Sequence, residues 1–321
     1  MNAAAIMGAV MTATSPFVFI WIISKIKKKE SPSGNVHDNA RIRSELSETD
    51  IWQAQGFPGK LAKDPKKAQE RAMNVLYGIA VGESVSRMSF PEKGKLWSTG
   101  SLYDTEGRML PATMGVYAML TTLNGKKKML APGGYIEAYA GTVCGYPSIE
   151  SGHPIPSGGI YAAIRGMAGA AVAALSANPP KLAARQASRM AAAGGFDRDT
   201  EEVAAVLAGC TWLAATSVPK DWIVEYASEF LDMNGDENSA LRDDPTDIRK
   251  MAAYGIRLFM VQGKMEDAAA EAAIEGGEAY MGAAAIAAGL SAVYYGVPGE
   301  TRAWADRFIP RLDLTQKGKA S

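Results

Sequence analysis

Between Lys67 and Phe308, apolar residues recur three and four positions apart in one segment after another, with charged residues on the faces between them. "KKAQERAMNVLYGIAVGESVSRM", "LPATMGVYAMLTTL", "GGIYAAIRGMAGAAVAALSA", "PKLAARQASRMAAAG", "TEEVAAVLAGCTWLAATS", "DWIVEYASEFLDM", "PTDIRKMAAYGIRLFMVQG" and "MEDAAAEAAIEGG" each predict an amphipathic helix. No run keeps the two-residue alternation of a strand over a useful length, so the domain, residues 67–310, is expected to be all-α. The most unusual segment is "EGGEAYMGAAAIAAGLSAVYYG", Glu275 to Gly296, where small residues are dense enough for another helix to approach almost to its backbone. Charges in every segment but "LPATMGVYAMLTTL" keep these helices out of lipid, and Gly296 predicts a C-cap.

The first residues follow a different pattern. Met1 to Ser24 carries no charge, and "FVFIWII" runs directly into "SKIKKKE", long enough at about 1.5 Å per residue to cross a hydrocarbon core. Residues 1–24 are therefore expected to form a single transmembrane anchor. A cleaved signal would carry its positive charge before the apolar run, whereas Lys25, Lys27, Lys28 and Lys29 follow it and place the helical domain on the cytoplasmic side, or on the interior side of a viral membrane. Pro16, Thr12 and Thr14 dilute the run, which leaves open a helix lying on the membrane rather than spanning it. Residues 25–66 are a polar, basic linker, and residues 311–321 a polar tail.

Composition narrows the function classes. Lys+Arg and Asp+Glu number 34 each, so no overall field recruits nucleic acid. Cys144 and Cys210 are too few for a disulfide framework, and with only His37 and His153 there is little material for a histidine-based metal centre. His153 lies in the Pro- and Gly-rich loop "SGHPIPSGG", where exposure is expected rather than catalysis. "DMNGDENSALRD", Asp232 to Asp243, imitates a calcium loop, but it lacks glycine at position six and the bidentate Glu at twelve, and predicts a solvated acidic loop. No strand, Gly-rich loop and helix succeed one another in the manner of a nucleotide phosphate cradle.

Two stretches carry a resemblance. "RAMNVLYGIAVGESVSRMSF" is similar to the first helix of the ADP-ribosylglycohydrolase family, G-x-x-x-G-D-A-x-G, with Gly78, Gly82 and Glu83 in frame. Gly276-Gly277-Glu278-Ala279-Tyr280-Met281 followed by "GAAAIAAGLSAVYYG" resembles the last signature, G-G-D-T-D-T and then A-x-I-A-G-A-x-x-G-A-x-Y-G. Between them "TEGRMLPATMGVYAML" stands where the family has T-D-D-T-x-M, and "GGIYAAIRG" where it has G-N-G-A-x-M-R. The order along the chain agrees, and the resemblance spans roughly Lys67 to Phe308. It implies a compact multi-helix bundle with a cleft in which the family holds two magnesium ions and cleaves ADP-ribosyl glycosidic bonds.

The chemistry that the resemblance implies is thinned in this chain. Hard divalent ions need converging carboxylate oxygens. In the last signature Glu278 remains, but Tyr280 stands for the second acid and Met281 for the terminal Thr. The second segment offers Thr105-Glu106 or Asp104-Thr105 but no pair of aspartates. The family's glutamate after the first helix falls at Ser89 or Phe90, with Glu92 beyond Pro91, and Gly-Asn-Gly becomes Gly159-Ile160-Tyr161. The cleft candidates are thus Glu83, Asp104, Thr105, Glu106 and Glu278, with Gly158, Gly159, Tyr161 and Tyr280 as a substrate wall and no expected metal. Glu83 either faces the pocket or pairs with Arg87 one turn on, and Glu278 either binds metal or favours the helix dipole. Tyr161 and Tyr280 either fill the cleft as core aromatics or stack on a base.

Three functions fit this pattern better than a fourth, a calcium-responsive module. One is a membrane-anchored, catalytically degenerate relative used for binding or assembly, with an ADP-ribose-like ligand, a protein partner or self-association. Another is an active hydrolase with a rearranged magnesium site. A third is a structural membrane protein such as a virion component.

Overall fold

The computed structural model describes residues 65–87, 109–123, 159–175, 197–217 and 219–312. All regular structure among them is helical, as the three- and four-residue spacing predicts. The expected anchor at residues 1–24 and most of the linker lie outside the described residues, and within them no helix is long and apolar enough to cross a membrane.

In chain order the helices are α1 (Pro65–Ser86), α2 (Pro111–Leu123), α3 (Gly159–Leu175), α4 (Arg198–Ala215), α5 (Lys220–Ser228), α6 (Glu237–Asp243), α7 (Ile248–Val261), α8 (Met265–Gly276), α9 (Met281–Tyr295) and α10 (Gly299–Ala305). Two start at aspartates that cap them. Asp197 accepts from Thr200 N at 2.8 Å at the head of α4. Asp247 accepts from Arg249 N and Lys250 N, both at 3.0 Å, at the head of α7. Such caps each stabilise a helix by about 1 kcal/mol. Gly277, at φ +55°, turns the chain out of α8 into a short 3₁₀ turn, Gly277–Tyr280, and Gly296, at φ +94°, ends α9.

The small-residue segment becomes α9, the centre of the bundle. Every residue from Met281 to Val293 is buried, the expected fate of a helix that is apolar all round. It packs on α1, α7, α8, α4 and α3, most extensively on α1. Gly78 and Gly82 on α1 allow that contact. A Cβ at Gly82 would stand 2.5 Å from Ala284 C and Ala285 Cα, and one at Gly78 would stand 2.7 Å from Ala292 Cβ. The two backbones therefore touch where the glycines face the alanines. A second layer, α2 and α4 on α3, lies beside this pair.

The calcium-like segment folds differently from the expected solvated loop. Its second half is α6, and Glu237 there is only 3% exposed. Glu237 accepts from Gly235 N at 3.0 Å and from Arg257 Nη2 of α7 at 3.2 Å. Glu237, at the position where a calcium loop has glycine, is thus committed to an ion pair with α7.

Candidate functional site

The site forms where the C-terminal end of α1, the N-terminal end of α2 and the 3₁₀ turn before α9 come together. Helix α2 begins after Leu110, whose carbonyl accepts the first helical bond from Met114 N at 2.8 Å. Leucine has no side-chain acceptor, and the first turn of α2 contains no acid. Its free N–H groups are consequently satisfied from another helix. Glu83 Oε1 accepts from Ala112 N at 2.7 Å, and Glu83 Oε2 from Thr113 N at 2.7 Å and Thr113 Oγ1 at 2.6 Å. Glu83 and Thr113 are both fully buried.

Glu83 is thus a capping carboxylate supplied in trans, placed at the positive end of the α2 dipole. Burial pushes its carboxyl above the usual range, while the bonds from Thr113 and Ala112 and the nearby charge of Arg87 pull the other way. Neither alternative drawn from the sequence describes this arrangement fully. Arg87, one turn beyond Glu83, makes its ion pair with Glu278, Nε to Oε1 at 3.6 Å. Glu278 keeps 68% of its side chain exposed, so the pair contributes about 0–1 kcal/mol.

Tyr161, half-buried on α3, completes the cluster. Its hydroxyl is pushed up to about 12 by burial and then by the negative charge of Glu83, with Arg87 opposing and Glu278 adding to the rise. The fold therefore brings Glu83, Tyr161 and Glu278 from three separate sequence segments within electrostatic reach of one another, with Arg87 paired to Glu278.

Other candidates go elsewhere. Tyr280 turns away from this cluster into the core formed by Leu241, Met251, Tyr254 and Leu258, where it is 3% exposed. Its ring stands edge-on to Tyr254 at 5.7 Å between centroids, and its hydroxyl donates to Asn238 O at 3.3 Å. Gly276 leaves room for that ring, because an added Cβ would collide with it. Met281 is likewise buried. Gly159 is a packing residue, since its Cβ would meet Thr200 Oγ1 of α4 at 2.5 Å. Gly158, Asp104, Thr105 and Glu106 lie outside the described residues.

Thr113 is the functional neighbour that the sequence did not single out. The signal was present, because Pro111 at the first helical position marks a helix start and Leu110 before it cannot cap. Among the described residues no three His, Cys, Asp or Glu side chains converge as a metal site.

No family model matches the chain, and no curated protein matches it in sequence. A solved structure described as an ADP-ribosylglycohydrolase-related protein complex aligns over 75% of this chain and 98% of its own, with TM-score 0.51 and 18% identity. At that identity the likeness concerns backbone architecture alone. The helical domain has the fold of ADP-ribosylglycohydrolase-related proteins.

Proposed function

We propose that the chain is a membrane-tethered, catalytically degenerate relative of the ADP-ribosylglycohydrolases that works by binding or assembly. The observation that carries this reading is the engagement of Glu83, whose two oxygens accept three hydrogen bonds from the head of α2. A fully buried carboxylate that accepts three hydrogen bonds from a helix end has roughly one of its four lone-pair sites left for an ion. Glu278 is on the rim beside Arg87, and the two positions where the family resemblance places Asp and Thr are the core residues Tyr280 and Met281.

Among the described residues the cleft does not offer the oxygen set that a magnesium pair requires. What it does offer is a mixed surface, with one guanidinium, one exposed carboxylate and one phenol side by side. Such a surface suits recognition of a polar ligand or a protein segment more than activation of water.

The test is thermal unfolding of the full-length protein with ADP-ribose, with and without magnesium. A ligand that binds only the folded state raises the midpoint by mass action. The expected result is that magnesium adds nothing to the midpoint, and a magnesium-dependent rise with ADP-ribose overturns the reading.

The tether rests on residues 1–24 and the lysines that follow. Full-length protein should pellet with membranes and need detergent for release. Recovery in the supernatant of a membrane spin without detergent removes the anchor from the account.

A further inference from the structure

A cavity lies on another face of α1. Glu70, Met73, Asn74 and Tyr77, spaced so that they share one side of that helix, bound a space of about 350 Å³ together with Arg302 of α10 and with Arg311 and Leu312 beyond it. It shares no residue with the Glu83 cluster, and Tyr77 stands about 9 Å from Glu83 along the helix axis at 1.5 Å per residue.

The polar groups of this cavity are unequally satisfied. Asp306 is fully engaged, accepting from Tyr77 Oη at 2.6 Å and from Arg311 Nη2 at 2.7 Å. Arg302 is not. Its Nη2 donates to Glu70 Oε1 at 2.9 Å and more weakly to Asn74 Oδ1 at 3.4 Å, while its Nε is buried with no acceptor. Glu70 is 54% exposed and engages one nitrogen only, so the edge formed by Nε and Nη2 is half used. That edge is the face of a guanidinium that fits a carboxylate with two parallel bonds.

A buried N–H without an acceptor carries its full desolvation penalty, and a ligand that supplies the acceptor removes it. Beside this polar edge, Met73 and Leu312 provide an apolar wall, each under 10% exposed. A monocarboxylate adds one negative charge to a site that holds two guanidiniums and two carboxylates, whereas a phosphate dianion adds two.

We propose that this cavity binds a small organic monocarboxylate with a short apolar tail, its carboxylate seated on the Nε and Nη2 edge of Arg302 in place of Glu70 and its tail against Met73 and Leu312. The site is independent of the reading of the cleft, and it stands or falls separately.

The probe is hexanoate, titrated into full-length protein by calorimetry, with hexanol and inorganic phosphate as controls. Hexanoate should bind saturably and at least about tenfold tighter than either control, because only it presents both charge and tail. Arg302→Gln should weaken it by about tenfold or more with helix content unchanged, and Glu70→Gln, which removes the competing carboxylate, should tighten it. The proposal is overturned by absence of saturable hexanoate binding, by phosphate binding as tightly, or by unchanged affinity in folded Arg302→Gln. If Arg302→Gln does not fold, the Glu70→Gln arm decides, and binding that is equal or weaker there overturns the assignment.

Discussion

Replacing Gly82 by alanine tests the contact around which the bundle is built. The new Cβ would stand 2.5 Å from Ala284 C and Ala285 Cα, both backbone atoms of α9. Relief to ordinary contact requires α1 and α9 to part locally by about 1 Å, and a gap of that order forfeits a quarter to a half of the dispersion well for each atom pair affected. Overpacking of this kind costs about 1–3 kcal/mol, and more when no side chain can rotate away. Alanine recovers about 1 kcal/mol of helix propensity. With the cost at the upper end of that range, the net expectation is a loss of about 2 kcal/mol, or about 4–8 °C in the melting midpoint of a domain of this size. Gly299→Ala is the matched control, because a Cβ there meets nothing within 4 Å. Its midpoint should stay within about 0.5 kcal/mol of the parent, or rise slightly. Circular-dichroism melts of both variants make the comparison. A Gly82→Ala protein as stable as the parent refutes backbone contact between α1 and α9.

Two further outcomes follow from named groups. Glu83→Gln keeps the shape but turns an N–H₂ toward donors of α2, so it should cost on the order of 2 kcal/mol in urea unfolding at neutral pH, and an unchanged midpoint removes Glu83 as the cap of α2. The Asp306 carboxyl is held below its usual range first by the hydrogen bond from Arg311 and then, against burial, by that from Tyr77. Its contribution is therefore fully present above an ordinary aspartate pKa of about 4 and is lost as pH falls through the lower folded value. Asp306→Asn should consequently lose less stability than the parent between neutral and acid pH, and parallel pH profiles contradict this.

What was legible in the sequence was what depends on neighbours in the chain. The Gly, Ala and Ser spacing of α9 encodes close packing directly, because only small side chains let backbones touch, and the structure finds Gly78 and Gly82 against it. The partner of Glu83 was not legible, since it is set by where the head of α2 meets α1 across a separation of about 30 positions. Glu237 shows the same limit: it falls where a calcium loop needs glycine, and the linear spacing says nothing of its ion pair with Arg257 on another helix. Tyr280 lies in a 3₁₀ turn between two helices, where neither the 3.6 nor the 2.0 period fixes which way a side chain points. Its burial against Tyr254 is a tertiary outcome.

The central claim is that the acids of the cleft serve the fold and the rim rather than a metal pair. It is tested most directly by incubating full-length protein with an ADP-ribosylated protein substrate and magnesium and measuring released ADP-ribose. The account predicts no release above the protein-free control, with Glu278→Gln indistinguishable from the parent. Magnesium-dependent release that disappears in Glu278→Gln contradicts it and makes the chain an active hydrolase.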